Sequence, residues 1–401
     1  MRIAFVNSVA GYGSTGQIVY SLSRLPGVQG RIYYGRKENL TDADVYRITD
    51  FKGNAVHAMD TFLMDNQGFA NKHETEKMVE NLKAFDPDLI HLHNLHGYYL
   101  NTEVLFNYLK ESGKPVVWTF HDCWPFTGHC AHYDSFHCEQ WKTECRKCPA
   151  IHTYPVSFNG LRVNKNFNRK KELFTSLGRQ LTIVTPSFWL ESQVKESFLS
   201  ETRVRTIHNG IDHTVFHPVR TNFRKNNHLE DKFIILAAAS IWTESKGLNQ
   251  LAEMSKYLEG NMVMIVVGLK SGQRKLFSEQ TICLERTENQ KELVDLYSNA
   301  DVFVNPTLDE TLSLVNIEAN ACGCPVVTFN TGGAPETISE KSGIVVERGN
   351  VDEAMHAVQR IYNNEISFNR KDCEKNSMQF DVRQMKAAYG QLYQERTGLL
   401  L

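Results

Sequence analysis

Short apolar runs alternate with amphipathic stretches along most of this chain. Each run is four or five residues long and rich in Val, Ile and Leu, as expected for strands buried on both faces of a parallel sheet. The predicted strands are Ile3–Val6, Leu89–His93, Val116–Phe120, Leu181–Thr185, Ile234–Ala238, Val263–Val267, Val302–Asn305 and Val326–Phe329. Helical periodicity is present at 17–24, 74–84, 101–112, 188–198, 247–258 and 290–299. The alternation predicts an α/β fold built from βαβ units.

A polar, Pro-interrupted segment near 217–230 breaks this alternation and is typical of a linker. We therefore predict two Rossmann-like, doubly wound domains, at 1–215 and 231–375. In such domains, ligands bind at the carboxyl ends of the strands. The functional residues are accordingly expected in the turns that follow the strands.

Composition excludes several classes of protein. The chain has 44 Lys and Arg against 46 Asp and Glu, a net charge of −2, so no basic field favours nucleic acid as a partner. No apolar run approaches the ~18–20 residues of a membrane span. The first residues predict a β-strand, not a signal peptide, because the apolar run is short and lacks a cleavage site. A cytoplasmic protein is predicted.

The segment 305–325 carries the most informative pattern. Glu310 and Glu318 are separated by little more than two helical turns, so they could line the same side of one site. Asp309 or Thr311 can cap a helix start, which gives a strand-end loop carrying one carboxylate, a helix N-terminus, and a second carboxylate further along. Free N–H groups at a helix N-terminus bind phosphate oxygens, and carboxylates accept hydrogen bonds from sugar hydroxyls. This combination suits a nucleotide-sugar. The alternative is a solvent-facing Glu pair on an ordinary helix.

The first predicted strand leads into a Gly-rich turn, Gly11-Tyr-Gly-Ser-Thr-Gly16, before a helix from Gln17. Such a turn allows a ligand to approach the backbone. A dinucleotide site would also need an acidic residue at the end of the second strand, and 31–36 provides none. The pattern therefore disfavours an NAD-dependent oxidoreductase.

Two further residues follow predicted strands. His121 comes directly after Val116–Phe120, where it could contact a substrate or be a buried structural histidine. Lys246 precedes a predicted helix at Gly247, where it could neutralise a diphosphate or simply be solvated.

Cysteines cluster in an insert near 123–148. Four of them, with the spacing Cys-x7-Cys-x6-Cys-x2-Cys, could supply thiolates to a structural zinc ion: Cys130, Cys138, Cys145 and Cys148. Alternative ligands are His129, His132 and His137. Reduced thiols packed in a loop and disulfides remain alternatives. The aromatic residues of the insert could stack on a sugar or pack in a core; they are Trp124, Phe126, Tyr133, Phe136 and Trp141. A nucleic-acid-binding zinc module is disfavoured by the near-neutral charge.

Taken in order, these motifs resemble those of the family 4 glycosyltransferases of the GT-B fold. The matching residues are the Gly-rich turn, His121-Asp122, Ser187, Asn209-Gly210-Ile211-Asp212, Lys246-Gly247, Glu310-x7-Glu318, Cys322-Gly-Cys-Pro325 and Gly332-Gly333. The resemblance is strongest to enzymes assigned to colanic-acid, capsule and O-antigen synthesis. It implies two Rossmann-like domains facing a cleft, with a C-terminal helix at 376–401 returning to the N-terminal domain.

The resemblance also implies an activity, the retaining transfer of a sugar from a nucleotide diphosphate donor, with no cofactor for catalysis. Glu310 would contact the donor sugar, Glu318 the ribose, and His121 the sugar near the reacting centre. Lys246 would hold the diphosphate together with backbone N–H groups at Thr311, Leu312 and Ser313. The resemblance places Asn209 and Gly210 at the donor, and Gly13, Ser14, Thr15 and Gly16 in a phosphate and acceptor loop.

Ile241 stands where the family usually has a second, arginine cation for the diphosphate. The alternative function is therefore a catalytically weak or inactive nucleotide-sugar-binding subunit. The implied partners are a UDP- or GDP-linked donor and a saccharide or lipid-linked acceptor, with peripheral contact to the inner membrane. One basic stretch could face anionic lipid or be a solvated helix face; it comprises Arg162, Lys165, Arg169, Lys170 and Lys171.

Overall fold

The computed structural model describes residues 1–400, which form two compact units. One unit contains Met1–His208 together with the chain from Lys386 onward, and the other contains Asn209–Met385. The chain therefore passes from one unit to the other slightly before the linker predicted near 217–230. No helix within residues 1–400 combines the length and apolar character needed to cross a bilayer.

The N-terminal unit is built on a seven-stranded parallel sheet. Its strands are β1 (Arg2–Asn7), β2 (Gln29–Tyr34), β3 (Asp44–Arg47), β4 (Leu89–Leu92), β5 (Val116–Thr119), β6 (Leu181–Thr185) and β7 (Arg203–Thr206), in the order β3-β2-β1-β4-β5-β6-β7. Its helices are α1 (Gly13–Ser23), α2 (Phe51–Met64), α3 (Lys72–Phe85), α4 (Thr102–Ser112), α5 (Val163–Thr175) and α6 (Phe188–Glu196). Three short 3-10 turns follow β5, at Trp124–Phe126, Asp134–Phe136 and Gln140–Lys142, and a fourth precedes β6, at Gly178–Gln180.

The C-terminal unit contains a second parallel sheet, of six strands. These are β8 (Phe233–Ala238), β9 (Met262–Val267), β10 (Thr281–Leu284), β11 (Val302–Asn305), β12 (Val326–Phe329) and β13 (Gly343–Val346), in the order β10-β9-β8-β11-β12-β13. Its helices are α7 (Phe223–Asn226), α8 (Leu248–Met254), α9 (Gln290–Asn299), α10 (Leu314–Ala321), α11 (Val351–Tyr362) and α12 (Arg370–Ser377). Its 3-10 turns are Glu244–Lys246, Ser255–Tyr257, Ser271–Leu276, Pro335–Thr337 and Met378–Phe380.

The central strands are apolar because helices cover both faces of each sheet. Every residue of β4, β5, β6, β9, β11 and β12 is buried. The edge strands β3 and β7 contain no buried residue and are rich in Arg, Asp and Thr. This difference explains why hydrophobic runs predicted the central strands and not the edge strands.

The last helix, α13 (Val382–Thr397), places two tyrosine side chains in the core of the N-terminal unit. The Tyr389 hydroxyl shares a hydrogen bond with the Thr119 hydroxyl at 2.9 Å, and the Tyr393 hydroxyl lies 2.7 Å from Nδ1 of His91. Both tyrosines are fully buried, so these hydrogen bonds satisfy hydroxyls that have no access to water. The contacts fix this part of α13 against β4 and β5.

Two expectations about local structure are wrong, and the structure decides between the two alternatives for the insert aromatics. Helix α10 begins at Leu314 with Ser313 as N-cap, so neither Asp309 nor Thr311 caps it. Lys170 belongs to no solvated or lipid-facing surface, because it is fully buried and donates to the carbonyl oxygens of Trp124 and Thr127. Four of the five insert aromatics are buried core residues; only Phe136 is exposed.

Candidate active site

In the C-terminal unit, two of the predicted site residues form an ion pair. Lys246 ends the 3-10 turn that follows β8, and Glu310 lies in the loop that follows the neighbouring strand β11. The Lys246 Nζ atom is 2.9 Å from Glu310 Oε2. The adjacency of the two strands, and not their distance in sequence, brings these charges together at the carboxyl edge of the sheet.

The loop that carries Glu310 is held by hydrogen bonds at both of its ends. The Ser245 carbonyl accepts from the backbone N–H groups of Leu308 and Asp309, at 2.8 and 3.2 Å. At the end of β11, the Asn305 side chain donates to the Ser313 hydroxyl at 2.8 Å. The Lys246 turn and the Glu310 loop are therefore one connected structure, which fixes the position of the ion pair.

Two glycines allow this structure to close. A Cβ atom on Gly247 would lie 2.0 Å from the Pro306 carbonyl oxygen, and one on Gly332 would lie 1.6 Å from the Glu310 carbonyl oxygen. Both glycines also have positive φ, at +80° and +53°. The Gly332-Gly333 turn therefore supports Glu310 from behind, and Gly333 donates its N–H to the Glu310 carbonyl at 3.3 Å.

Glu318 lies inside α10, one turn after the helix begins, and it receives a hydrogen bond from the Tyr297 hydroxyl at 3.2 Å. Burial raises the pKa of Glu318 from 4.5 to about 7, although the bond from Tyr297 acts in the opposite direction. The site thus contains a carboxyl group whose charge changes near neutral pH. The backbone at Thr311, Leu312 and Ser313 leads directly into the start of the same helix.

The raised pKa of Glu318 predicts a loss of stability as pH rises. The folded protein binds this proton more tightly than the unfolded chain, so the added stability is complete below about pH 4.5 and is lost as pH rises to about 7. The loss corresponds to roughly 3 kcal/mol at about 1.4 kcal/mol per pKa unit. Chemical denaturation would give the free energy of unfolding between pH 4 and 8. Over that range the wild type should lose roughly 3 kcal/mol more than a Glu318→Gln variant, which has no carboxyl group to titrate. Exposed Glu340 gives the control, Glu340→Gln, which should follow the wild type; a Glu318→Gln profile parallel to the wild type would contradict the prediction.

In the N-terminal unit, three histidines form a stack at the ends of β4 and β5. His93 Nδ1 lies 3.0 Å from His121 Nε2, with the two rings nearly parallel, and the His91 ring centroid is 4.1 Å from that of His93. Burial lowers the pKa of His121 to about 4 and the pKa values of His91 and His93 well below their usual range. All three are therefore neutral at pH 7, and His121 shares one proton with His93.

The sequence did not indicate His93 as a site residue, although it directly follows β4, the neighbour of β5. His96 was also missed; its Nε2 lies 2.6 Å from Asp122 Oδ2, and its Nδ1 lies 3.1 Å from the Tyr154 hydroxyl. Burial alone would raise the pKa of Asp122, but the charge and hydrogen bond of His96, the charge of His132 and the backbone N–H of Trp124 together lower the pKa to about 2. The Asp122 carboxylate is therefore ionised and orients His96.

The remaining predicted positions have local structural roles. Gly13 begins α1 with positive φ and open space where a Cβ atom would lie, and the chain continues into the helix through Ser14, Thr15 and Gly16. Gly210 packs so closely on residues 381 and 382 that a Cβ atom would lie 2.5 Å from the backbone of Val382. Asn209 is buried, and its Oδ1 has no hydrogen-bond partner. Ile241 is 54% exposed after β8 and adds no charge there.

The four cysteines proposed as zinc ligands line one small cavity of about 10 Å³, together with His129. The His129 Nδ1 atom is 2.7 Å from Asp65 Oδ1, and its Nε2 is buried without a hydrogen-bond partner. Gly128 donates its N–H to the Cys145 sulfur at 3.3 Å. Within residues 1–400, however, no three His, Cys, Asp or Glu side chains are arranged to hold a metal ion. The donor types suit zinc, but the sulfurs are not gathered around one point.

Comparison with known proteins gives two family matches that run in sequence. The profile described as "Glycosyltransferase Family 4" matches residues 53–215, and that described as "Glycosyl transferases group 1" matches residues 219–380. The first match lies mainly in the N-terminal unit and the second lies in the C-terminal unit.

Individual relatives agree with these matches. WcaC, assigned to colanic acid biosynthesis in Escherichia coli (strain K12), is 26% identical over 328 residues, which cover 74% of this chain and 72% of WcaC. CapM, a capsular polysaccharide glycosyltransferase of Staphylococcus aureus, is 27% identical over 47% of this chain and 55% of its own length. Anabaena HepE, solved with UDP-glucose, has a TM-score of 0.66 at 14% identity and covers 98% of this chain and 100% of its own. The chain is a family 4 glycosyltransferase and has the GT-B fold.

Proposed function

We propose that this glycosyltransferase moves a sugar from a nucleotide diphosphate donor to a saccharide acceptor, with retention of anomeric configuration. The observation that carries the proposal is the Lys246–Glu310 pair, held at the carboxyl edge of the second sheet beside the start of α10. A cation, a carboxylate and the N-terminus of a helix are the groups that a sugar diphosphate requires.

The chemical step breaks the bond between the anomeric carbon and the diphosphate oxygen and forms one to an acceptor oxygen on the same face. The departing nucleoside diphosphate takes the electron pair, and the proton of the acceptor hydroxyl passes to it. We assign the stabilisation of this developing negative charge to Lys246 and to the N–H groups at Thr311, Leu312 and Ser313. We assign the separation of Lys246 from Glu310 to the binding of the donor. Lys246 then contacts the diphosphate, and the Glu310 carboxylate accepts hydrogen bonds from the hydroxyls of the donor sugar.

The other residues complete the proposed recognition of the donor. We assign Glu318 to the ribose hydroxyls, which donate to its ionised form. The family resemblance supports contact of the neutral His121 imidazole with the donor sugar, and donor contacts at Asn209 and Gly210. The Gly-rich turn at residues 13–16 is assigned to phosphate and acceptor. No cofactor is proposed for catalysis.

We propose that the acceptor is a lipid-linked saccharide of a bacterial surface polysaccharide. The names of WcaC and CapM, which refer to colanic acid and capsule, support this class of product. HepE was solved with UDP-glucose, and a corynebacterial relative is named GDP-mannose-dependent, so both donor classes are represented among similar proteins.

Donor turnover tests the proposal. The purified protein would be incubated with UDP- and GDP-linked sugars, with and without lipid-linked saccharide acceptors, and the released nucleoside diphosphate would be measured. Release that depends on one donor and is increased by acceptor is the expected result. Retention would be read from the anomeric coupling constant of the product by NMR.

The exposed Ile241 favours a second candidate, a subunit that binds nucleotide-sugar without transferring it, because it leaves the diphosphate with one fewer side-chain cation. Thermal stabilisation by a nucleotide-sugar, with no turnover by any donor and acceptor supplied, would support this candidate instead. Turnover by the wild type excludes it.

We further propose one structural zinc ion at the cysteine-lined cavity. The Asp65–His129 pair resembles the carboxylate–histidine arrangement that orients metal-bound imidazoles, and binding would require cysteine side chains to turn toward the cavity. Elemental analysis of protein purified without chelator should give one zinc per chain, and Cys145→Ser should lower the zinc content. Cys283→Ser, outside the insert, is the control. The proposal would be contradicted if the purified wild-type protein contained no zinc, and if adding zinc did not raise its unfolding temperature.

A further inference from the structure

His93 directly follows β4, and its backbone is tied to other strands of the sheet. Its N–H donates to the carbonyl of Val6 in β1 at 2.9 Å, and its carbonyl accepts from the indole N–H of Trp118 in β5 at 2.8 Å. The His91 ring, which is itself hydrogen-bonded through both nitrogens, lies against the His93 ring with 4.1 Å between the centroids. His93 is therefore held in a fixed position in the core of the N-terminal unit.

The hydrogen bond between His93 and His121 lies in the plane of both rings. His93 Nδ1 and His121 Nε2 are 3.0 Å apart, and the ring planes differ by only 13°. The ring centroids are 5.3 Å apart, which exceeds the N–N distance by the radii of the two rings, so the two nitrogens lie on the line that joins the rings. This alignment is favourable for an N–H donor and an imidazole lone pair. The two nitrogens therefore share one proton in a well-formed bond.

The two rings differ in their access to a ligand. His121 keeps part of its surface exposed, whereas His93 is 1% exposed. Burial lowers the pKa values of both residues, so both rings are neutral at pH 7 and each carries one proton. A contribution of His93 to the reaction must therefore act through His121.

The second ring nitrogen of His93 indicates which ring donates. His93 Nε2 is buried and has no hydrogen-bond partner within residues 1–400. If His121 were the donor, the proton of His93 would lie on this nitrogen, as a buried N–H without an acceptor. If His93 donates from Nδ1, the same nitrogen has only an unused lone pair. A buried N–H without an acceptor is the rarer defect in proteins, so donation by His93 is favoured.

We propose that His93 is a positioning residue, which donates its Nδ1 proton to His121 Nε2 and thereby keeps the proton of His121 on Nδ1. The tautomer of a histidine is set by the hydrogen bond that its other nitrogen makes. His121 then donates from Nδ1, in an orientation fixed by the bond from His93, and its acceptor there is an oxygen of the donor sugar.

This tautomer also limits what His121 can do in the transfer. Its one lone pair accepts from His93, so His121 does not take the proton of the acceptor hydroxyl. That proton is left to the departing diphosphate, as in the proposed chemical step. The effect on transfer rests on the proposed function, whereas the position of the proton does not.

The position of the proton can be measured by NMR on the full chain. Protonated and unprotonated ring nitrogens have different chemical shifts, so spectra of protein labelled with nitrogen-15 histidine identify each tautomer. The His121→Gln variant, in which one set of signals disappears, assigns the resonances. We expect the His121 proton on Nδ1 between about pH 6 and 8, where the ring is neutral. A wild-type protein with the His121 proton on Nε2 would overturn the proposal.

Substitution of His93 tests its effect on transfer. His93→Leu removes the donor, so the two tautomers of His121 should mix and kcat should fall roughly 10- to 100-fold, the usual cost of losing a group that orients another. The donor KM should change little, because the contact affected is the one near the reacting centre. His93→Asn, whose amide can donate close to the position of Nδ1, should recover part of the rate and the Nδ1 tautomer. Equal losses in both variants would show that only the ring matters, and would overturn the proposal.

His57 provides the control for replacing a buried histidine. It is also 1% exposed and neutral at pH 7, but its Nε2 accepts from the Gly68 N–H. His57→Leu should lower the unfolding temperature and leave kcat and the His121 tautomer unchanged. An unchanged tautomer and kcat in His93→Leu would contradict the proposal; should that variant not fold, the wild-type spectrum and His93→Asn decide. If the wild type turns over no donor, the spectra still locate the proton, and the missing turnover counts against the proposed function alone.

Discussion

Replacing Lys246 by methionine should slow donor turnover by about 100- to 1,000-fold, the usual effect of removing one preorganised group that stabilises a developing oxyanion. Methionine is one atom shorter than lysine and keeps a similar unbranched apolar stem, but it has neither the positive charge nor the N–H donors. Because Ile241 provides no second cation after β8, the loss of Lys246 should not be compensated there. The fall should appear mainly in kcat, since the negative charge on the diphosphate grows as the bond to the sugar breaks.

A purely structural role for Lys246 predicts a different result. The side chain is 41% exposed, and a pair with that much access to water contributes at most about 1 kcal/mol to folding. Loss of the pair alone would lower the unfolding temperature slightly and leave kcat near the wild-type value. Lys256→Met, at an exposed lysine of the same unit, is the control for removing a positive charge. Equal turnover by Lys246→Met and Lys256→Met would refute the proposed role of Lys246.

The sequence predicted the central strands and the turns that follow them, because full burial on two faces leaves continuous apolar runs such as those of β9 and β11. It also predicted that Glu310 and Lys246 belong to one site, through the resemblance of their motifs. It placed Glu310 in the loop after a strand and Glu318 further along, as the structure has them, but it named Asp309 or Thr311 as the helix cap, whereas α10 begins at Leu314 after Ser313. Helix boundaries depend on which hydrogen bonds the preceding loop makes, and here the loop after β11 bonds to Ser245, far away in sequence.

Other features could not be read from local pattern. Helix α2 exposes its apolar side, so its periodicity does not show which of its faces is buried. Lys170 lies in a basic run, yet its ammonium is buried over the Trp124 ring, 3.5 Å from the centroid, and donates to two carbonyls. The partners of His93 and His96 are His121 and Asp122, which lie in the loop after the next strand, β5. Such contacts depend on the order of strands in the sheet, which a single sequence does not state.

Gly332→Ala should impair donor turnover without altering any proposed site side chain. The new Cβ atom would lie 1.6 Å from the Glu310 carbonyl oxygen, so the Gly332-Gly333 turn and the Glu310 loop would have to separate. That movement displaces Glu310 and breaks the hydrogen bond from Gly333. A displacement of about 1 Å in a positioning group costs on the order of 100-fold in rate, and overpacking of this kind destabilises by about 1–3 kcal/mol.

Positive φ alone would also make alanine unfavourable at Gly332, and Gly349 provides the control. Gly349 has a φ of +77° in the same unit, with nothing within 4 Å of its added Cβ atom. Gly349→Ala should therefore cost only the roughly 1–2 kcal/mol of left-handed backbone and leave turnover unchanged. Denaturation and donor-turnover assays on both variants separate the two effects. If Gly349→Ala and Gly332→Ala lose activity equally, the need for glycine is explained by backbone conformation and not by support of Glu310. If only Gly332→Ala loses activity, the close packing of Gly332 on the Glu310 carbonyl is what positions the Glu310 carboxylate for the donor sugar.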